Sequence, residues 1–466
     1  MGKVREASMW ELRKAAEFLC GLRYDDLPES VVEAAVRCII DTVSAAGGAA
    51  NEKLVTGIRE SYLSVVGNDA GYSASLAGTT EKVNVFNAAF LNALAGHFYE
   101  MDDVHCESKT HIGTVVIPAA YALAEAMGTS GKELVLAVAC GYELTARIGM
   151  AFGVTAHRQC GWHSTSTAGV FGSAAACAKL LRLNQTDFAN ALGMAGTQAF
   201  GRWAFLAEGA TCKILHPARA AASGCEAAFL AKAGMSGPQN ILMAEDGGLL
   251  TAMSDSPIAE FAIKDFGTRW EILNMDNKPY PCCRSTHGSI DAALALKKEY
   301  AFSADEIESV DIETYHIGKV QCAESEGSLH PKTQSEAKFS TPYAVSCALL
   351  YGGVNLQDFK PENVLRKEPQ ELLQKVHVEE SAEYTNAYPK NWGCSMKIRL
   401  YSGKTYHTAL QDASGSKTAP LSLEQLLQKS RQLLSPVQGL QVDTFQRAML
   451  ELPKAERVPT LISFFA

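Results

Sequence analysis

At 466 residues the chain is longer than one hydrophobic core usually supports, so two domains are expected. Hydrophobic residues make up 47% and charged residues 20%, a globular balance, and the net charge of −9 argues against nucleic acid or an anionic membrane surface as partner. A small anionic substrate stays compatible, provided that a few Lys, Arg and His converge locally.

Residues 1–8 carry charges with no apolar run after them, so no signal peptide is expected there. Helical periodicity is clear from Asp26-Leu27-Pro28-Glu29 onward, where a cap candidate and an early Pro precede Val32, Val36, Ile39, Ile40 and Val43. Further helices are predicted over 82–97, 114–127, 132–150, 166–182, 186–199 and 217–233, with Gly96, Gly128 and Gly234 near their ends. Strands are hard to find in this half. The apolar run at 114–127 is interrupted by Glu125 and falls short of a membrane span, so no membrane partner is expected. Thirteen Cys are scattered without a C-x-x-C pair, which argues against a disulfide scaffold and for a reducing, cytoplasmic setting.

After Trp270 the pattern changes. A helix at 286–298 precedes the alternating Val310, Ile312 and Thr314, which read as a strand. Helices follow at 335–350 and 361–375. Val376 and Val378 suggest a second strand, and Met396, Ile398 and Leu400 with a Ser402-Gly403 turn suggest a hairpin. The tail from Leu421 is helical again. The expected fold is therefore mainly α: a helical part at 1–268, an inserted α+β part at 269–408 and a helical return at 409–466.

Four clusters could carry chemistry. The first, 99–111, concentrates Glu100, Asp102, Asp103, His105, Cys106, Glu107, Lys109 and His111 between two apolar helical segments. Charges beside buried helices are costly to desolvate, so the block invites a functional reading, with a polar surface loop between two core helices the equal alternative. The second, 157–163, ends in His163 at the start of a predicted helix, where backbone N–H groups favour anions; capping is the plainer reading. The third is Lys213, which between apolar neighbours would ordinarily snorkel to the surface. The fourth, 277–287, holds Lys278, Cys283, Arg284 and His287 on a backbone fixed by Pro279 and Pro281. No G-x-S-x-G elbow, phosphate-binding P-loop or H-E-x-x-H is present. His105-Cys106-Glu107 with Pro281-Cys282-Cys283 approaches a zinc-deaminase pattern, but Ser285 stands where its last Cys belongs. The ligand types of Glu100, Asp102, Asp103, His105 and His111 leave a metal-dependent hydrolase open.

Taken in order, the clusters resemble the MmgE/PrpD family of 2-methylcitrate dehydratases, cis-aconitate decarboxylases and iminodisuccinate epimerases. The matching text is Glu-Met-Asp-Asp with Thr-His (100–111), Gly-Trp-His (161–163) before Gly-Val-Phe-Gly-Ser-Ala-Ala (169–175), and Lys213. It continues through Glu-Asp-Gly-Gly (245–248), Lys-Pro-Tyr-Pro-Cys-Cys-Arg-Ser-Thr-His (278–287) and Glu-Ala-Lys-Phe-Ser (336–340). The resemblance implies a homodimeric enzyme without metal or cofactor, its large helical domain built from both chain ends and its inserted part a smaller α+β lid domain. The active site would lie between them, with Glu100, His111, His163 and Lys213 from the helical domain and Lys278 and Cys283 from the lid side. Three positions depart from the family's habit: Glu100 where Asp is common, Val104 where a small hydroxyl residue is common, and Cys283, which is His in the decarboxylases, Glu in the dehydratases and Cys in the epimerase.

The implied chemistry places charge on a carbon beside a carboxylate, which needs cations and donors aimed at the substrate. Lys213, Lys278, Arg284 and His163 are candidates for that role, His111 or Glu100 for the general base, and Cys283 for a second acid or base. Asp102, Asp103 and His287 join Arg284 as candidate substrate-binding residues. The expected function is a lyase acting on a small di- or tricarboxylic acid, with dehydration of a citrate-like hydroxy acid favoured. The alternatives are epimerisation of an iminodisuccinate-like dicarboxylate, metal-dependent hydrolysis, and a non-catalytic binding protein with a remnant site.

Overall fold

The computed structural model describes residues 11–66 and 71–466, so the N-terminal stretch read for a signal sequence lies outside the described residues. Local capping chemistry sets several helix starts. Asn84 accepts a hydrogen bond from the Asn87 amide at 2.9 Å, and Ser130 and Glu133 form a reciprocal capping box. The chain is mainly α. Its first part holds α1 (Glu11–Gly21), α2 (Glu29–Ala49), α3 (Val85–Phe98), α4 (Gly113–Met127), α5 (Gly131–Ala151), α6 (Gly169–Leu180), α7 (Gln185–Gly196) and α8 (Leu215–Lys232). The helix α5 is long and apolar enough to cross a membrane, and it lies wholly inside the helical core. Small residues allow this close packing: a Cβ at Gly113 would collide with the Thr42 and Tyr142 hydroxyls and the Asp103 carboxylate.

The later part carries α9 (His287–Tyr300) and α10 (Thr341–Tyr351) against a four-stranded sheet of order β6-β5-β7-β8. These strands are β5 (Ile307–Thr314), β6 (Val376–Glu380), β7 (Cys394–Leu400) and β8 (Thr405–Leu410), with β5 parallel to β6 and antiparallel to β7. Val310 and Ile312 turn inward, as their alternation predicts. The helices α11 (Leu423–Leu434) and α12 (Val442–Leu450) return to the first part. Buried apolar residues form two cores, one drawn from 12–275 together with 426–464, the other confined to 282–400.

Several elements differ from the sequence expectation. Residues 82–84 are a strand (β2, Lys82–Asn84) paired with β1 (Ser73–Ser75), and the helix begins only after Asn84. The helix expected at 335–350 is broken at 339–340, because Pro342 disfavours helical backbone before it and Ser340 caps the new start. The 361–375 helix divides into Pro361–Val364, Lys367–Leu372 and a last tight turn.

Two long-range contacts fix the acidic block. One is a short antiparallel pairing of β3 (Val104–His105) with β4 (Met275–Asp276), which sets the 277–287 segment beside the block. The other is Lys429 of α11, whose Nζ lies 2.6 Å from both the Asp41 carboxylate and the Met101 carbonyl oxygen. Both side chains of that ion pair are buried. Lys429→Met is expected to lower the unfolding free energy by about 3–5 kcal/mol, the cost of leaving a buried partner uncompensated. Urea unfolding checks this against Lys14→Met, an exposed control expected to stay within about 0.5 kcal/mol of wild type.

Candidate active site

Just after α3 the backbone turns at Glu100, whose φ of 57° lies in the left-handed region that side chains seldom adopt. The turn sets the Glu100 carboxylate between two buried ammonium groups. Its Oε1 pairs with Lys213 Nζ, and its Oε2 lies 3.2 Å from Lys278 Nζ, which also donates to the Glu100 carbonyl at 3.0 Å. None of the three residues is more than 6% exposed. Burial pushes the Glu100 carboxyl up, but Lys213 and Lys278, then His97 and His111, outweigh it and hold it well below the carboxylate range. Burial likewise opposes charge on Lys278, and Glu100 and Asp102 overcome it, raising its pKa above that of an ordinary lysine.

Asp102 faces two imidazoles. Its Oδ2 lies 2.7 Å from His97 Nδ1 and 3.2 Å from His111 Nδ1, and the two rings meet edge to face at 4.8 Å. His111 Nδ1 also lies 3.0 Å from the Asp103 carbonyl oxygen. A ring nitrogen facing two acceptors carries the proton, which leaves Nε2 of His111 as the lone-pair nitrogen. Burial is the main cause that pushes His111 down to about 4, so it is neutral at pH 7. The ligand atoms of His97, Asp102 and His111 lie within 4.8 Å of one another, so among the described residues these could hold a metal ion. Both Nδ1 atoms point at one carboxylate oxygen, with the Lys278 charge acting on His111, an arrangement that suits proton-sharing better than cation binding.

His163 precedes the Ser164–Thr167 turn of helix, with its Nδ1 2.8 Å from His216 Nδ1. One of the two nitrogens must donate and the other accept. Burial holds His163 well below its ordinary value and His216 at about 4, so both rings are neutral. Cys283 is half-buried, and its thiol is lowered to about 6 by a hydrogen bond with Cys322 and, against burial, by Lys278 and Lys213.

The structure brings together Glu100, Asp102, His111, Lys213, Lys278 and Cys283, with His163 one ring beyond His97 at 6.4 Å. It does not bring Asp103, Arg284 or His287 to them as substrate ligands. Asp103 turns back into the helical core, accepting from Tyr142 Oη at 2.6 Å and the Gly113 amide at 2.8 Å. Arg284 is occupied by Asp276 at 2.9 Å and by the Ser414 carbonyl at 2.8 Å, and the fully buried His287 packs on Arg284 and Tyr280. Asp102 is enclosed by the two imidazoles. Three neighbours were not singled out from the sequence: His97, His216 and Lys338. His97 lies two residues before the acidic block, and its helical spacing to Glu100 was the available signal; Lys338 lies inside the quoted 336–340 motif without a role, and His216 three residues after Lys213. Lys338 donates to the Phe98 carbonyl at 2.6 Å, and burial lowers it to about 8. A cavity of about 120 Å³ reaches this group, lined by His97, Glu100 and Lys213 together with Phe205, Lys338 and Phe339.

Family models for the MmgE/PrpD N-terminal domain and the MmgE/PrpD C-terminal domain match residues 13–262 and 280–452. The chain is 30% identical to a mouse (Mus musculus) cis-aconitate decarboxylase, over 89% of this chain and 85% of the relative. It is 29% identical to the human (Homo sapiens) cis-aconitate decarboxylase, over 88% of this chain and 85% of the relative. A cis-aconitate decarboxylase-like protein of Aspergillus oryzae is 26% identical, over 87% and 85%. The Cys283 environment gives a direct check on the site's electrostatics. Alkylation of Cys283 by iodoacetamide, followed by mass spectrometry, should rise with pH to half its plateau near pH 6, and Lys278→Met should move that midpoint upward.

Proposed function

The chain belongs to the MmgE/PrpD family, and from that premise we propose that it is a lyase removing water from a small hydroxy di- or tricarboxylic acid. The observation that carries this reading is the buried Glu100–Lys213–Lys278 charge cluster, whose Glu100 and Lys213 line a small cavity, with the neutral imidazole of His111 beside the cluster. Proton removal next to a carboxylate yields an enediolate-like dianion. Cations already in place stabilise it without reorganisation, usually the largest catalytic contribution. Lys213 and Lys338 line the cavity and supply that charge. The free Nε2 of His111 takes the proton, and Asp102 steadies the imidazolium that forms. Lys338, with a pKa of about 8, is charged at neutral pH yet acidic enough to protonate the departing hydroxide.

A positioned base favours a reaction that starts with proton removal, whereas loss of CO₂ needs none. The second reading is epimerisation. It is favoured by Cys283, whose thiol, lowered to about 6, stands as a second proton-transfer group besides His111.

Citrate-like and malate-like acids incubated in D₂O and followed by NMR test the reading. Elimination product with deuterium in recovered substrate is expected, and Lys213→Ala should lower kcat/KM by about 100- to 1,000-fold with folding intact. Exchange without elimination would favour epimerisation. CO₂ release from an unsaturated acid without exchange would replace dehydration by decarboxylation, and no turnover of any acid would refute the lyase reading.

A further inference from the structure

Almost every buried cation around the site has its counter-group. Lys213 and Lys278 share Glu100, Arg284 holds Asp276, and Lys338 has the Phe98 carbonyl. Two more cations break this pattern. Lys109, in the same loop as Glu100 and His111, has its Nζ buried without a hydrogen-bond partner, 4.6 Å above the Tyr388 ring. Arg158 of the Val154–Gln159 helix stacks over Trp203 with its Cζ 4.3 Å from the ring centre, and its Nε is also buried and unpartnered. Neither makes an ion pair among the described residues.

The two cations act on each other. Burial first, then repulsion from Arg158, brings the Lys109 ammonium down to about 7, and the groups that oppose this are the Cys283 and Cys106 thiols rather than a carboxylate. Burial brings Arg158 down to about 10. The pair adjoins the site on two sides. Cys283 acts on Lys109, and the Trp203 ring beneath Arg158 lies 4.9 Å from the His163 ring. Lys109, Arg158, Trp203, Tyr388 and Cys283 are each partly exposed as residues, which sets the pair near the surface rather than in the closed core. The buried Tyr388 hydroxyl, likewise unpartnered, adds a donor.

Unpaired buried charge destabilises a fold unless a ligand completes it. Aromatic faces hold the two cations only weakly, whereas a carboxylate would take a forked guanidinium and an ammonium together. We propose that Lys109 and Arg158, with the Tyr388 hydroxyl, form a second carboxylate subsite, which binds the substrate carboxylate remote from the one facing Lys213 and Lys338. This rests on the polycarboxylate reading and deepens it. The subsite selects acids that carry a second negative group and fixes the reacting carbon against His111 and Cys283.

Titration calorimetry of wild type, Lys109→Met and Arg158→Met with tricarballylate, an unreactive tricarboxylate, tests the subsite together with thermal unfolding of the ligand-free proteins. Each variant should bind at least tenfold more weakly while melting no lower than wild type, because one of two repelling cations has been removed. Affinity within twofold of wild type, with a lower melting temperature, would make both residues structural and overturn the proposal. Sulfate is the second probe: it should slow reductive methylation of Lys109, read by mass spectrometry. Sulfate protection without turnover of any polycarboxylate would uphold the anion subsite and refute the proposed reaction. Turnover with full affinity in both variants would refute the subsite and leave the reaction standing, and a wild type that binds neither probe would refute the subsite.

Discussion

The charge triad of Glu100, Lys213 and Lys278 constrains everything around it. A carboxylate buried alone would neutralise itself, and two buried ammonium groups would drive each other apart; together, the three stay ionised out of water. Meeting that condition requires three separated segments to arrive within hydrogen-bonding distance. The β3–β4 pairing delivers Lys278, the turn leading into α8 delivers Lys213, and the left-handed turn after α3 delivers Glu100. The strained backbone at Glu100 persists because the lysines and the carbonyl contact from Lys278 over-determine it.

Around the triad, ionisation is divided by environment. The imidazoles of His111, His163 and His216 are buried where cations already stand, so they remain neutral and able to exchange protons. Cys283 becomes acidic chiefly through its hydrogen bond with Cys322, helped by the same lysines, whose positive potential favours the thiolate and disfavours the imidazolium. Burial, one hydrogen bond and the lysines' field together give neutral bases and an acidic thiol within a small volume. Glu100, where the family commonly has Asp, carries an extra methylene, and its carboxylate bridges both lysines.

Much of the fold was legible in the chain. The helical stripe from Val32 to Val43 and the Val310–Ile312 alternation each follow from local chemistry, and each appears where the residues place it. Errors arose where short-range chemistry competed with periodicity. Pro342 divided an apparently continuous helix, and residues 82–84 joined a two-stranded pair that only Ser73–Ser75, distant in pattern, could complete. Of the site, the acidic block and the two lysines were visible as residue types out of place. His97 was not, because an imidazole at the end of an apolar helix reads as an ordinary core residue until Asp102 folds back onto it.

The sequence by itself determined the mainly α character and the ordered motifs that mark the family, since periodicity and motif text are local properties. Tertiary structure alone decided which charges are satisfied. Glu100 meets lysines 113 and 178 positions away, Arg284 is consumed by Asp276, and Lys109 and Arg158 are left without an acid among the described residues. Pairing of buried charge depends on distances of a few ångströms between segments far apart in the chain. No local pattern encodes those distances, so a lysine that clamps the site and one that awaits a ligand look alike until the chain is folded.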